Sequence, residues 1–383
     1  VLSFGREQRE KESGGETMRG DLGTQRHIRE VVSRLVPRTY PPTLDQLALA
    51  ASCPVDRIIK LDQNENPYGP SLRVQEALGA YERFHLYPDP EGRAVRERLA
   101  IYTGMPAERI LLGNGADELI DLVYLLTIDP GDEVVIAPPT FELYGTRAEL
   151  QGARVVEVPR LPDFSLDIDA MVRATTLRTK VISLVSPNNP TGNAISPDQL
   201  VRLLRLGPLV VLDEAYYEFA ERSFLPLARE FDNLVVLRSF SKWAGLAGLR
   251  LGYGIFPAEL MPYLWKIKPP YNVNTAALVA AQATFEDIEW LRSTVVRIRV
   301  ERARLFRQLR KLSIIQPYQS QGNYLLCRVL HGEAEAMRER LAESGIVVRG
   351  YDGALAGYLR ISVGRPEDTD ALMKALLAIA ERI

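Results

Sequence analysis

Lys242 stands in the stretch SFSKWAGLAGLRLGY (239–253), directly after the apolar run LVVL (234–237). A surface lysine needs neither a buried strand before it nor small residues around it. A strand-end lysine among glycine and alanine can lose its water, which lowers its pKa and frees the amine as a nucleophile. Ser239, Ser241 and Arg250 lie in the same stretch and could hold a phosphate beside it. In VVLDEAYYEF (210–219), Asp213 ends another apolar run. A carboxylate buried at a strand tip is costly unless it is paired. It therefore calls for a cation such as a protonated ring nitrogen, or else for backbone N–H groups in a purely structural role. Tyr216, three residues on, could reach the same ligand.

Three further stretches place polar residues where strands should end. LLGNGADELI (111–120) has a glycine-rich turn opening a helix. The backbone N–H groups of Ala116 and Asp117 would make an anion site there, although a plain helix cap explains the turn equally well. SPNNPTGN (186–193) breaks the chain sharply after KVISLV (180–185) and carries Asn189. YLRISVG (358–364) sets Arg360 between apolar neighbours, where a guanidinium needs an anion: a ligand carboxylate or phosphate, or an internal ion pair.

The elements that must position these residues can be read from the pattern. VVIAPP (134–139), ARVVEVP (153–159), KVISLVSP (180–187), LVVLDEAY (209–216), LVVLRSF (234–240) and LRLGYGIF (249–256) are continuous apolar runs, as in strands covered on both faces. Helical patterns such as DELIDLVYLLT (117–127) lie between them. This alternation predicts an α/β fold, a large domain with a mostly parallel sheet flanked by helices. Ligands of such sheets sit at the carboxyl ends of the strands. From 276 to 312 the chain reads as one long arginine-rich helix with a solvated face. NYLLCRV (323–329), GIVVRG (345–350) and YLRISVG then outline a smaller α+β domain closed by a helix from Asp368. The expected divisions are 1–27 as a disordered extension, 28–60 as an arm or part of the small domain, 61–284 as the large domain and 285–383 as the small one. The polar start lacks the apolar core of a signal peptide, and Met18 offers a natural start.

Composition narrows the function classes. The 383 residues are 46% hydrophobic and 25% charged, with a formal net charge of −2. That balance suits a globular protein and gives no reason to expect nucleic acid or a membrane as partner. No apolar run approaches the roughly 18–20 residues that span a bilayer. Three scattered histidines (His27, His85, His331) argue against a histidine metal site or a Ser-His-Asp triad. The distant Cys53 and Cys327 read as free thiols in a reducing compartment, which suggests a cytoplasmic protein.

Together the clusters ask for one ligand with a phosphate, a cationic ring nitrogen, a ring hydroxyl and an aldehyde for the lysine. Pyridoxal phosphate has all four. The sequence resembles the fold-type I pyridoxal-phosphate aminotransferases, and within them the histidinol-phosphate aminotransferase branch. The matching stretches run in family order from about residue 28: NENPYGP (64–70), YPDPEG (87–92), LGNGADELI (112–120), APPTFELY (137–144), SPNNPTGN, VVLDEAYYEF, LRSFSKWAGLAGLRLGY (237–253), PPYNVN (269–274) and YLRISVG. The resemblance implies that Lys242 is the Schiff-base lysine, Asp213 the partner of the pyridinium, and Asn189 and Tyr216 the donors to the ring's phenolic oxygen. It implies Ala116, Asp117, Ser239, Ser241 and Arg250 around the phosphate, and Phe141 stacked on the ring. Tyr68 would reach the phosphate of a neighbouring subunit's cofactor, so a homodimer is expected. Arg360 would grip the acidic end of the substrate, with Arg349, Tyr40 and Asn323 as further pocket residues. Around Tyr40 the chain reads PRTYPPT (37–43), a departure from the family's usual Pro-Tyr-x-Pro-Gly.

The implied activity is transamination of L-histidinol phosphate with 2-oxoglutarate in histidine biosynthesis. An aromatic amino-acid aminotransferase and an L-threonine-O-3-phosphate decarboxylase share the scaffold and remain alternatives. A non-catalytic regulator is disfavoured, because the lysine is retained and no DNA-binding module precedes the core.

Overall fold

A computed structural model of the protein describes residues 24–36 and 40–381. Most of the expected extension, residues 1–23, lies outside the described residues. The chain divides into two units, residues 1–38 and 39–383. In the first, the described residues form two short exposed helical turns, Thr24–His27 and Glu30–Arg34.

The second unit contains twelve strands among the described residues: β1 (Ile59–Leu61), β2 (Ile110–Asn114), β3 (Glu133–Ile136), β4 (Arg154–Glu157), β5 (Thr179–Val185), β6 (Leu209–Asp213), β7 (Leu234–Ser239), β8 (Leu251–Ile255), β9 (Ile315–Pro317), β10 (Tyr324–Val329), β11 (Ile346–Gly350) and β12 (Tyr358–Ser362). Seven form one sheet in the order β2-β8-β7-β6-β5-β3-β4. Its five consecutive strands from β4 to β7 pair in parallel, and β8 runs antiparallel to both of its neighbours. The other five form a second sheet, β1-β11-β12-β10-β9, antiparallel except for the β1–β11 pair. The fold is α/β, with mixed sheets flanked by helices.

Strand periodicity explains the large sheet. Val210, Leu212, Leu234 and Val236 join the core on one face, while Val211, Val235 and Leu237 join that on the other. Both faces are covered, so the strands read as unbroken apolar runs. The same alternation sends Asp213 and Ser239 to the Val211 face, where the helices Gly115–Thr127 and Leu143–Leu150 pack. Glu214 and Arg238 then point the opposite way and meet as a fully buried ion pair, with Arg238 Nη2 2.8 Å from Glu214 Oε2. That pair ties the tips of β6 and β7 together behind the site.

The expected long helix over 276–312 is instead two, Thr275–Glu286 and Ile288–Leu309, which meet at Asp287. Asp287 has φ −123°, outside the helical range, and its short polar side chain favours such a break. β1, β2 and β9 did not stand out as apolar runs. β1 and β9 have three residues each, and β2 carries the Gly113–Asn114 turn at its end.

Candidate active site

The tips of β5, β6 and β7 converge on Asp213, which is buried. Its Oδ1 accepts the Ala215 N–H at 2.8 Å and its Oδ2 accepts the Tyr144 hydroxyl at 3.1 Å. Burial pushes its pKa up to about 6, because two neutral donors do not replace a cation. Tyr216, also buried, accepts the Asn64 side-chain amide at 3.1 Å, so its own hydroxyl proton is left to donate elsewhere. Burial raises its pKa to about 12, against the positive charge of Arg360. The Tyr324 ring stands edge-on to it, with centroids 5.1 Å apart.

Lys242 is half-buried and donates from Nζ to the Gln63 carbonyl at 2.8 Å. Desolvation, followed by the charge of Arg360, lowers its pKa to about 8. Its ammonium has one carbonyl partner and no carboxylate among the described residues. That is the environment of a nucleophilic amine rather than of a structural ion pair.

The β2 end, the start of the Gly115–Thr127 helix and the chain after Lys242 form a cup. The first N–H groups of a helix have no intrahelical acceptor, and they carry the positive end of its dipole. Ser239 Oγ accepts the Ser241 N–H at 3.1 Å, and Arg250 Nη1 reaches Ser241 Oγ at 3.4 Å. Arg250 Nη2 meets the Asp117 carboxylate at 3.1 Å. The approach is close enough to require glycine. A Cβ on Gly252 would lie 2.4 Å from the backbone nitrogen of Ala116, and Gly115 takes φ 78°, a left-handed conformation that favours glycine. Arg250 itself takes a left-handed conformation, φ 54°, which turns its guanidinium back to the cup.

Arg360 comes from the second sheet and is buried. Its Nη1 donates to Asn189 Oδ1 and its Nη2 to the Asp62 carbonyl, while Nε has no partner. Among the described residues no carboxylate pairs with it. Arg349 lies directly opposite on β11, so two cations share one cross-strand pair. Like charges so placed repel unless an anion joins them. Asn189 spends its carbonyl on Arg360, which leaves its amide nitrogen as the end that can serve a ligand.

The short segment 62–66 after β1, whose residues carry no expected role of their own although NENPYGP (64–70) belongs to the family pattern, links all these groups. Asp62 and Gln63 give their carbonyls to Arg360 and Lys242. Asn64 holds Tyr216 through its amide and offers its carbonyl to Asn323 Nδ2 at 2.9 Å. Asn66 Nδ2 donates to the Trp243 carbonyl at 2.8 Å. Asn64 sits at φ 54°, a conformation asparagine tolerates better than most residues. Tyr144 is likewise not among the residues expected at the site; its partner Asp213 lies 69 residues further along the chain, beyond any local spacing.

Not every expected residue is drawn in. Tyr40 is 81% exposed and away from the cluster's hydrogen bonds. Arg349 is exposed, its guanidinium 5.9 Å from the Tyr351 ring. Phe141 meets Tyr144 edge-on, with centroids 6.3 Å apart. Tyr68 packs against its own core, with Arg365 and Arg297 at 5.5 and 5.6 Å from its ring. Asn323, by contrast, is drawn in through the Asn64 carbonyl; it is fully buried, and its Oδ1 has no partner among the described residues.

Residues 56–376 match the model of the aminotransferase class I and II family. The histidinol-phosphate aminotransferase of Roseiflexus castenholzii is 47% identical over 363 residues, covering 92% of this chain and 98% of its own. The chloroplastic histidinol-phosphate aminotransferase of Nicotiana plumbaginifolia is 46% identical, covering 91% of this chain and 86% of its own. Among solved structures, the histidinol-phosphate aminotransferase of Sinorhizobium meliloti in complex with pyridoxal-5'-phosphate superposes with a TM-score of 0.83. It is 26% identical, and the match covers 93% of this chain and 98% of that one.

Proposed function

The chain belongs to the class I and II aminotransferases, on the histidinol-phosphate aminotransferase branch, and from that membership we propose that it transfers the amino group of L-histidinol phosphate to 2-oxoglutarate. The products are imidazole acetol phosphate and glutamate, and the step belongs to histidine biosynthesis. Its activity class is that of a pyridoxal-phosphate-dependent aminotransferase.

The residues fit pyridoxal phosphate. Among the described residues the partners of the buried Asp213 carboxylate are neutral, which suits a protonated ring nitrogen. The glycine-lined cup, where a Cβ on Gly252 would clash with backbone, suits a phosphate. When bound, the cofactor supplies an aldehyde for an amine and a ring that takes up electrons from the substrate's α-carbon. The chain does the rest. Ser239, Ser241, Arg250 and the backbone of Ala116 and Asp117 would hold the phosphate, Asn189 and Tyr216 would donate to the phenolic oxygen, and Phe141 would stack on the ring. Lys242 Nζ, kept poorly hydrated, accepts the proton from the substrate's α-carbon and delivers it again.

The observation that carries the substrate assignment is Arg360. It is buried without a carboxylate, faces Arg349 across the strand pair and has Nε to spare. Such a site binds an acidic group, and a guanidinium fork accepts a phosphate or a carboxylate alike. One pocket could thus serve histidinol phosphate in one half-reaction and glutamate in the other, with Asn323 beside it. The family resemblance, rather than any contact of Tyr68 within its own chain, is what suggests a homodimer in which Tyr68 and the exposed Tyr40 would serve a shared site.

The test is to supply purified enzyme with 2-oxoglutarate and, separately, histidinol phosphate, phenylalanine or threonine phosphate. Glutamate is expected with histidinol phosphate alone. Carbon dioxide released from threonine phosphate without glutamate would overturn the assignment.

A further inference from the structure

Behind the cup lies a buried cation that the proposed reaction does not use. Lys268 is only 9% exposed. Its ammonium donates to Asn272 Oδ1 at 2.6 Å, Pro269 O at 3.1 Å and Pro90 O at 3.2 Å, all neutral acceptors. Asn272 passes the contact on. Its Nδ2 donates to Glu118 Oε2 at 2.6 Å and to the Leu112 carbonyl at 3.2 Å. Glu118 Oε2 in turn accepts the Asn114 N–H at 2.7 Å. Leu112 and Asn114 bracket Gly113 at the end of β2, immediately before the Gly115–Thr127 helix begins.

The charge arrangement poses a problem for an anion. The first turn of that helix carries two carboxylates, Asp117 and Glu118. Both favour the helix dipole, but both repel a phosphate at the same N-terminus. Asp117 is answered directly by Arg250. Among the described residues, Glu118 is answered through Asn272, by Lys268.

We propose that Lys268, Asn272 and Glu118 form a positioning relay that fixes the β2-to-helix turn and offsets the Glu118 charge, so that the helix N-terminus can bind a phosphate monoester. The relay acts through the backbone of Leu112 and Asn114. It rests on the pyridoxal-phosphate reading of the cup.

Titration of the apoprotein with pyridoxal phosphate and with pyridoxal, which lacks the phosphate, tests it. In Asn272→Ala the dissociation constant for pyridoxal phosphate should rise about tenfold or more, as for loss of a hydrogen bond to a charged group, while that for pyridoxal stays within about twofold. Lys268→Met should show the same selective loss, and adding Glu118→Gln should recover most of it. Equal weakening of both ligands, or no weakening, overturns the relay, as does a Lys268→Met defect that Glu118→Gln leaves untouched. If Lys268→Met does not fold, Asn272→Ala carries the test, because it removes a neutral bridge and leaves both charges in place. A wild-type apoprotein that fails to bind pyridoxal phosphate would sink the cofactor reading itself; tight wild-type binding with unselective variants sinks only the relay.

Discussion

Lys242 shows how much chemistry one environment can impose on one residue. Burial lowers its pKa to about 8 from the ordinary 10.5. The native state therefore holds fewer protons than the unfolded chain between these values. Stability linked to this group rises with pH across that window and is weakest below about pH 8. In the apoprotein, Lys242→Met should raise the melting temperature most below that pH, and the gain should shrink above it. A gain independent of pH would contradict the buried-amine reading. The same substitution, or Lys242→Ala, should lower turnover by at least about a hundredfold, the usual worth of a placed proton carrier.

At the scale of elements, the site depends on close approach between the Gly115–Thr127 helix and β8. Gly252→Ala would press a methyl group onto backbone, 2.4 Å from the Ala116 nitrogen and 2.6 Å from the Gly115 carbonyl carbon. Neither atom can rotate away, so the helix start must shift. A loss of about 1–3 kcal/mol in unfolding free energy is expected from such overpacking, together with weaker cofactor binding. Gly248→Ala is the control, because a Cβ there meets nothing within 4 Å. Equal effects in the two variants would remove close packing as the reason for glycine at 252. The strands themselves were legible because both faces of the sheet are covered, which makes apolar runs unbroken. The segment 62–66 was not, because its carbonyls and asparagines act through partners nearly 180 residues away at Trp243 and about 300 away at Arg360 and Ser362. No local pattern encodes such contacts.

For the whole molecule, the proposed homodimer makes a specific demand on Tyr68. If it serves the neighbouring subunit, a protomer carrying Tyr68→Ala and one carrying Lys242→Ala are each deficient as homodimers. Their mixed dimer contains one site with both native residues. Co-refolding the two should restore up to about half of the wild-type activity in each mixed dimer. No restoration, with mixed dimers demonstrated by mass spectrometry, would place Tyr68 in its own subunit's work or in none.

The α/β class, the strand tips and the residue types gathered there (an amine, a carboxylate, a glycine-rich turn and a guanidinium among apolar neighbours) are all legible along the chain. These are local properties, set by side-chain period and by what burial demands of each charge. Their connections exist in the folded chain alone. It joined Arg360 to Asn189 and Asp62, set Arg349 opposite Arg360, and set Tyr144 on Asp213. It also left Tyr40 exposed and put Lys268 behind the cup. The difference is one of range. Periodicity reports which face a residue takes on its own element, whereas a hydrogen bond between two sheets depends on how those sheets pack, and packing is a property of the folded chain as a whole.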